Sequence, residues 1–316
     1  MNKYIMYYYN IYPYDIHLEK ENYYFVDSKL INYCLFNITN CNLDADELKK
    51  IYYLSLFLNE HGIYCHQFVL NNASNIYIVI DNKLYVLFRY KREYDYKTQI
   101  TLNDILFFSK IIIPNPQEEY KSHWKEKWSI KLDYFEYQLN QFGYKHQLLR
   151  ESFGYYSGLT ELAISLHNNI SPNTLFNCNN LSHKRITEDY SLFDLYNPIN
   201  FIIDSKVRDL SEFFKIELLN VSDYNKINII IENAIFALNC ITYTEIDYFL
   251  FFVRLLYFTP YFDQYEAIMD YNQNVIKICN IIKKAPFYEC FIKNIYKYMV
   301  KHQMLLNMPK IEWLEA

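Results

Sequence analysis

Glycine is the residue that most constrains this chain: its 316 residues contain four, at Gly62, Gly143, Gly154 and Gly158. Loops that cradle phosphate need several closely spaced glycines, because backbone N–H groups approach an anion only where no Cβ intervenes. Neither G-x-G-x-x-G nor G-x-x-x-x-G-K-[ST] can be written from these positions, which excludes a Rossmann dinucleotide site and a Walker P-loop as motifs. Charge weighs against a second class. With 31 Lys+Arg against 36 Asp+Glu the formal charge is −5, so no broad basic field draws the chain to nucleic acid or to anionic membranes. A hydrophobic share of 52% supplies ample core for two ordinary domains or one domain of two lobes.

The 35 tyrosines and 23 phenylalanines suggest a stacking surface for bases, but no Arg and Lys clusters interleave with them. Tyr, Asn, Ile, Lys and Phe are enriched together, as an AT-rich coding bias would produce. The seven cysteines, Cys34, Cys41, Cys65, Cys178, Cys240, Cys279 and Cys290, are odd in number, scattered and without C-x-x-C. That pattern argues against a disulfide scaffold and a structural zinc site. His61, Cys65 and His66 cluster but lack a fourth ligand at sensible spacing, so they read as turn and strand residues. The N-terminus lacks the order of a signal peptide. The most apolar stretch, Tyr248 to Phe262, is interrupted by Arg254 and Pro260 and is too short to cross a bilayer. No membrane span and a reduced, cytoplasmic compartment are therefore expected.

The first ninety residues read as mixed strand and helix. Tyr23–Val26 and Tyr33–Ile38 are β-prone, and a helix from Asp44 to His61 carries a capping box, Asp44 with Glu47, and ends at Gly62. Strands His66–Leu70, Asn75–Ile80 and Lys83–Tyr90 follow, the last two joined by an Asp81-Asn82 hairpin turn. The order is β-β-α-β-β-β. A polar linker at 89–95 leads into helices Thr101–Ile113, Tyr120–Phe142 and Phe153–Asn169, then an irregular stretch from Asn173 to Lys206 holding one short strand, Phe201–Ile203. Helices resume at Arg208, with breaks near Pro260 and Pro286. The fold class is thus α+β and bilobal, protein-kinase-like, with a small β-rich N-lobe (1–92) and a larger helical C-lobe (93–316).

Within the irregular stretch, Leu181-Ser182-His183-Lys184-Arg185-Ile186 precedes Phe201-Ile202-Ile203-Asp204 and then Ser205-Lys206-Val207-Arg208-Asp209-Leu210. This resembles the aminoglycoside and choline phosphotransferase superfamily, in which a His-x-Asp catalytic loop is followed by an Ile-Asp metal motif and an Asp-Leu opening the next helix. Tyr155-Tyr156-Ser157-Gly158-Leu159-Thr160-Glu161-Leu162, with Trp124 and Trp128 upstream, is similar to the CotS-like spore-coat-associated branch of endospore-forming bacteria. The likeness covers roughly residues 65 to 215.

Phosphoryl transfer needs a carboxylate on the attacking hydroxyl, cations on the phosphates and groups to hold those cations. Where the family has its catalytic-loop aspartate, two positions after His183, this chain has Arg185, whose guanidinium only donates. Loss of a general base costs about 10² to 10⁴ in rate. The family's metal-holding Asn is replaced by Tyr190, an unsuitable magnesium ligand. The alignment puts Phe36 or Asn37 where the third-strand lysine should be, leaves Glu47 without its partner, and reads the glycine-rich turn as Asp27-Ser28-Lys29. Asp204 survives, either as a metal ligand or as a cap for the helix starting near Lys206. Asp189 and Asp194 are residual candidates beside it. His183 steadies the loop in the family, and Arg208 and Asp209 are expected to tie the helix start to that loop (181–209). The adjacent cations Lys184 and Arg185 either hold an acidic partner or are neutralised by Glu188 or Asp189.

The expectation is a catalytically inactive, pseudokinase-type protein that binds or scaffolds in the spore coat, with protein partners and no cofactor. The alternative is a divergent small-molecule phosphotransferase that uses Mg-ATP through Asp204.

Overall fold

The computed structural model describes residues 1–114, 123–168, 179–240, 242–271, 275–305 and 309–315; Cys178 lies outside them. The chain opens with α1 (Asn2–Tyr9), β1 (Tyr14–Glu19), β2 (Asn22–Val26), β3 (Asn32–Asn37) and α2 (Ala45–Glu60). β4 (Gln67–Val69), β5 (Tyr77–Ile80), β6 (Lys83–Tyr90), α3 (Leu102–Phe108), α4 (Trp124–Phe142) and α5 (Gln147–Asn168) follow. Next come β7 (Asn180–His183), α6 (Leu192–Tyr196), β8 (Phe201–Asp204), α7 (Arg208–Leu219), α8 (Tyr224–Cys240) and α9 (Glu245–Leu256). The chain closes with α10 (Thr259–Tyr271), α11 (Ile276–Lys283), α12 (Ala285–Lys301) and α13 (Glu312–Glu315). Two compact units result: Met1–Ile100 with Asp189–Phe201, and Thr101–Glu188 with Ile202–Ala316. The small unit is β-rich and the large one mostly helical, a bilobal, protein-kinase-like architecture.

In the small unit the antiparallel sheet runs β1-β2-β3-β6-β4, with β5 also on β6. Strand alternation sorts its residues onto two faces. Phe25, Tyr33, Leu35, Tyr85 and Leu87 pack against Ile5 and Tyr9 of α1. Tyr24, Cys34, Val86, Phe88 and Tyr90 face Leu48 and Ile51 of α2, together with Phe193 and Ile199 of the returning segment. α1 and β1 were not expected from sequence, because almost all of β1 is exposed and shows no inward alternation. The expected β-β-α-β-β-β order thus gains a leading helix and strand.

Two tight turns use left-handed backbone without glycine. Asp81 and Asn82 (φ 49° and 61°) join β5 to β6, as expected of this pair. Lys20 and Glu21 (φ 47° and 66°) join β1 to β2. The hairpin between the first two strands is therefore Lys20-Glu21. The Asp27-Ser28-Lys29 turn expected there joins β2 to β3 instead. Asp44 and Glu47 form the capping box of α2, and Gly62 leaves its end at φ 78°.

The large unit is built on α5, which packs against α4 and α9, and on α7, which packs against α3, α8 and α9. β7 and β8 form a two-stranded sheet. Pro260 and Pro286 sit in the first turns of α10 and α12, where a missing N–H costs nothing. Boundaries moved by up to six residues: α3 stops at Phe108 rather than Ile113, and α5 starts at Gln147 rather than Phe153. Gly143 has φ −62° and leads α4 into a 3-10 turn instead of ending it in the left-handed region. Among the described residues no helix is long and apolar enough to cross a membrane.

Candidate functional site

The buried strand β7 and the largely apolar strand β8 deliver His183 and Asp204 to the start of α7. There Asp209 accepts from the His183 backbone N–H (3.0 Å) and from its Nδ1 (2.7 Å), with both side chains almost wholly buried. This bond fixes the imidazole, which also meets the Phe108 ring edge-on at 4.9 Å. Arg208 spreads its guanidinium over three acceptors: the carbonyl of His183 (2.9 Å), the carbonyl of Lys184 (2.8 Å) and Asp204 Oδ2 (2.7 Å). His183, Lys184, Asp204, Arg208 and Asp209 are thus one network.

Asp204 is not a helix cap. Val207 stands at the N-cap of α7 and no side chain caps it. Instead Asp204 Oδ2 accepts from Arg208 and from Trp124 Nε1 (3.0 Å), while Oδ1 accepts from the Ser205 N–H (2.7 Å). A divalent cation needs carboxylate lone pairs free of such donors. Three donors thus take most of the acceptor sites of the Asp204 carboxylate, and Arg208 offsets its charge. Among the described residues no group of three or more His, Cys, Asp or Glu side chains is arranged to hold a metal.

Arg185 follows the loop histidine by two positions, and its guanidinium forms an ion pair with Asp263 of α10. The side chain keeps 37% of its surface, yet burial pulls its basicity below the ordinary value, against the opposing pull of Glu212. Behind it lies a fully buried ionic centre. Glu212 Oε1 accepts from Lys215 Nζ (2.9 Å) and Thr259 Oγ1 (3.2 Å), and Arg254 Nε lies 2.8 Å away. Burial pushes the Glu212 carboxyl up, but Lys215, Arg254 and Arg185 outweigh it and hold the group well below the carboxylate range. Arg254 also lies 4.4 Å over the Trp124 ring.

The remaining candidates belong to the small unit. Tyr190 donates its hydroxyl to the Asp194 carbonyl (3.1 Å). Asp194 completes the capping box that Ser191 opens for α6, its Oδ2 accepting from the Ser191 N–H (3.0 Å) and Oγ (2.7 Å), and burial raises its carboxyl. Asp189 takes an exposed ion pair from Lys20 of the first hairpin, at 2.8 Å. On β3, Cys34 packs into the core on the α2 side with Phe36 against it, so Phe36 is the position that faces α2. Its ring centre lies 6.2 Å from that of Phe193. Glu47 is spent on the Asp44 N–H.

The family model described as "Spore coat putative kinase YutH" matches residues 2–294. The chain belongs to this spore coat family. Comparison with curated proteins gives no match. Among solved structures, an aminoglycoside phosphotransferase from Alicyclobacillus acidocaldarius is 9% identical with a TM-score of 0.64, over 93% of this chain and 94% of that one. Spectinomycin phosphotransferase APH(9)-Ia, in complex with ADP and spectinomycin, is 12% identical with a TM-score of 0.55, over 93% and 96%. Amicoumacin kinase hAmiN, in complex with AMP-PNP, Ca²⁺ and amicoumacin, is 12% identical with a TM-score of 0.55, over 92% and 91%. At these identities the likeness is one of fold. This member of the spore coat family therefore shares the fold of these phosphotransferases.

Sequence reasoning passed over Glu212, Lys215 and Phe193. Arg254 did leave a signal, as the lone charge within an apolar run. Ser191-Leu192-Phe193-Asp194 carries the S-x-x-D pattern of a capping box, which marks α6. The cluster of His61, Cys65 and His66 resolves into separate local roles: His61 Nδ1 bonds the Phe57 carbonyl, Asn59 donates to Cys65 Sγ, and His66 Nε2 donates to the Phe193 carbonyl.

Proposed function

We propose that this protein is a kinase-like binding or scaffolding protein of the spore coat that does not transfer phosphate. The observation that carries the reading is Arg185. It stands where the resembling phosphotransferases have the loop carboxylate, and it is ion-paired to Asp263. A guanidinium offers five donors and no acceptor, so it cannot take a proton from an attacking hydroxyl. The neighbouring groups support the same reading. Asp204, the counterpart of the metal-binding aspartate, already neutralises Arg208 and accepts from Trp124. Cytoplasmic synthesis followed by recruitment to the coat, with coat proteins as partners, is part of the proposal and follows from the family's name.

The test is ADP release from the purified full chain at millimolar Mg-ATP with a panel of amino-alcohol acceptors. The reading expects no release above a protein-free blank. Sustained release that Asp204→Ala abolishes would overturn it, and would point to the magnesium-dependent alternative.

A further inference from the structure

Residues Asp189–Phe201 leave the catalytic-loop region and complete the core of the small unit. Within α6, Phe193 and Leu195 have no exposed surface, and Ile199 just beyond it is 1% exposed. The Phe193 ring lies 4.4 Å from His66, 5.2 Å from Tyr90 and 5.4 Å from Tyr24, measured between centres. Main-chain bonds fix the segment on the same side: His66 N–H to the Tyr196 carbonyl, Leu192 N–H to the Thr98 carbonyl and Phe193 N–H to the Asp95 carbonyl. Beside it the Tyr96 ring lies tilted against Tyr24, 4.2 Å between centres, and its hydroxyl is 2.7 Å from His17 Nε2.

All of this lies on the α2 face of the sheet, where Phe36, one of the two residues that the resemblance aligns with the family's third-strand lysine, has its ring centre 6.2 Å from that of Phe193. We propose that Asp189–Phe201 is a resident occupant of this face. With Phe193 filling it, a heteroaromatic base is excluded, and the small unit binds no adenine nucleotide. The inference rests on the kinase-like reading above but is separable from it.

The occupant is recognised by its ring, so truncating the ring should leave a ring-shaped vacancy. Engineered apolar cavities of about 150 Å³ stay dry and bind benzene. In thermal melts of the full chain, benzene or indole should raise the melting temperature of Phe193→Ala and leave the wild type unchanged. Adenosine at millimolar concentration should not shift the wild type. A folded Phe193→Ala variant that gains no affinity for either ring overturns the proposal, as does saturable adenosine binding by the wild type.

Hydrogen exchange on the wild type covers the case in which the variant fails to fold. Amides of Leu192–Leu195 should be protected to the same order as those of Val86–Phe88, with or without adenosine. Exchange at the rate of an exposed loop overturns the proposal. Adenosine binding without ADP release would defeat this inference alone, whereas ADP release would defeat the proposed function.

Discussion

His66 gives the sharpest prediction. Its imidazole is fully buried, Nε2 donates to the Phe193 carbonyl at 2.9 Å, and Tyr64 Oη lies 3.3 Å from Nδ1. Burial pulls its pKa down to about 3, against the lift from the Phe193 carbonyl. The unfolded imidazole titrates near 6.5, so the unfolded chain takes up this proton first as pH falls. The stabilisation is complete above pH 6.5 and is lost progressively toward pH 3, at about 1.4 kcal/mol per unit. Between pH 7.5 and pH 5 the loss from this one group is about 2 kcal/mol. His66→Gln places an amide nitrogen near Nε2 and does not titrate. Urea denaturation of wild type and variant at both pH values isolates the term. The wild type should lose about 2 kcal/mol more than the variant over that interval. Equal losses would show that His66 is solvated or already charged, and would refute the closed core around Phe193.

Further outcomes follow from other sites. Glu212→Gln strands Arg254 as a buried charge, while Lys215, which burial already lowers to about 7, can shed its proton, and the change should cost about 3–5 kcal/mol in urea denaturation; a cost under 1 kcal/mol, about that of a surface pair, would contradict the ionic centre. Because Glu212 is held below the carboxylate range, its stabilisation is present above about pH 4.5 and fades as pH falls further, so the same variant should show a flatter acid limb. Arg208→Ala removes three bonds and the counter-ion of Asp204, with an expected loss of about 3 kcal/mol; unchanged stability would mean the loop is held elsewhere. Glu21→Gly, at φ 66°, should gain about 1 kcal/mol by relieving left-handed strain; a loss would mean the side chain, which accepts from Asn37, outweighs the strain.

Much of the fold was legible because local signals agreed with the tertiary outcome. The capping box at Asp44 and Glu47, the Asp81-Asn82 turn and the β-branched runs each point to one structure. β1 was invisible for the opposite reason: its side chains face solvent, so no period of two marks it. The loop motif from His183 to Asp209 was readable as a string, and its bonds show why each residue type is present. The engagement of Asp204 by Trp124, 80 positions away in the chain, leaves no local trace. The buried ionic centre joins Glu212 to Arg254 and Thr259 from other helices, again beyond any window of neighbouring residues. Phe193 was hidden differently, since a five-residue helix in an irregular stretch carries no periodicity to show which face it buries.

The proposed function and the occupant proposal together require that Asp204 and the α2 face of the small unit serve to hold the chain together and not to hold a nucleotide. Calorimetric titration of Mg-ATP into the full chain tests it most directly. Heats indistinguishable from dilution up to millimolar nucleotide are predicted. A saturable isotherm of one nucleotide per chain would contradict the claim.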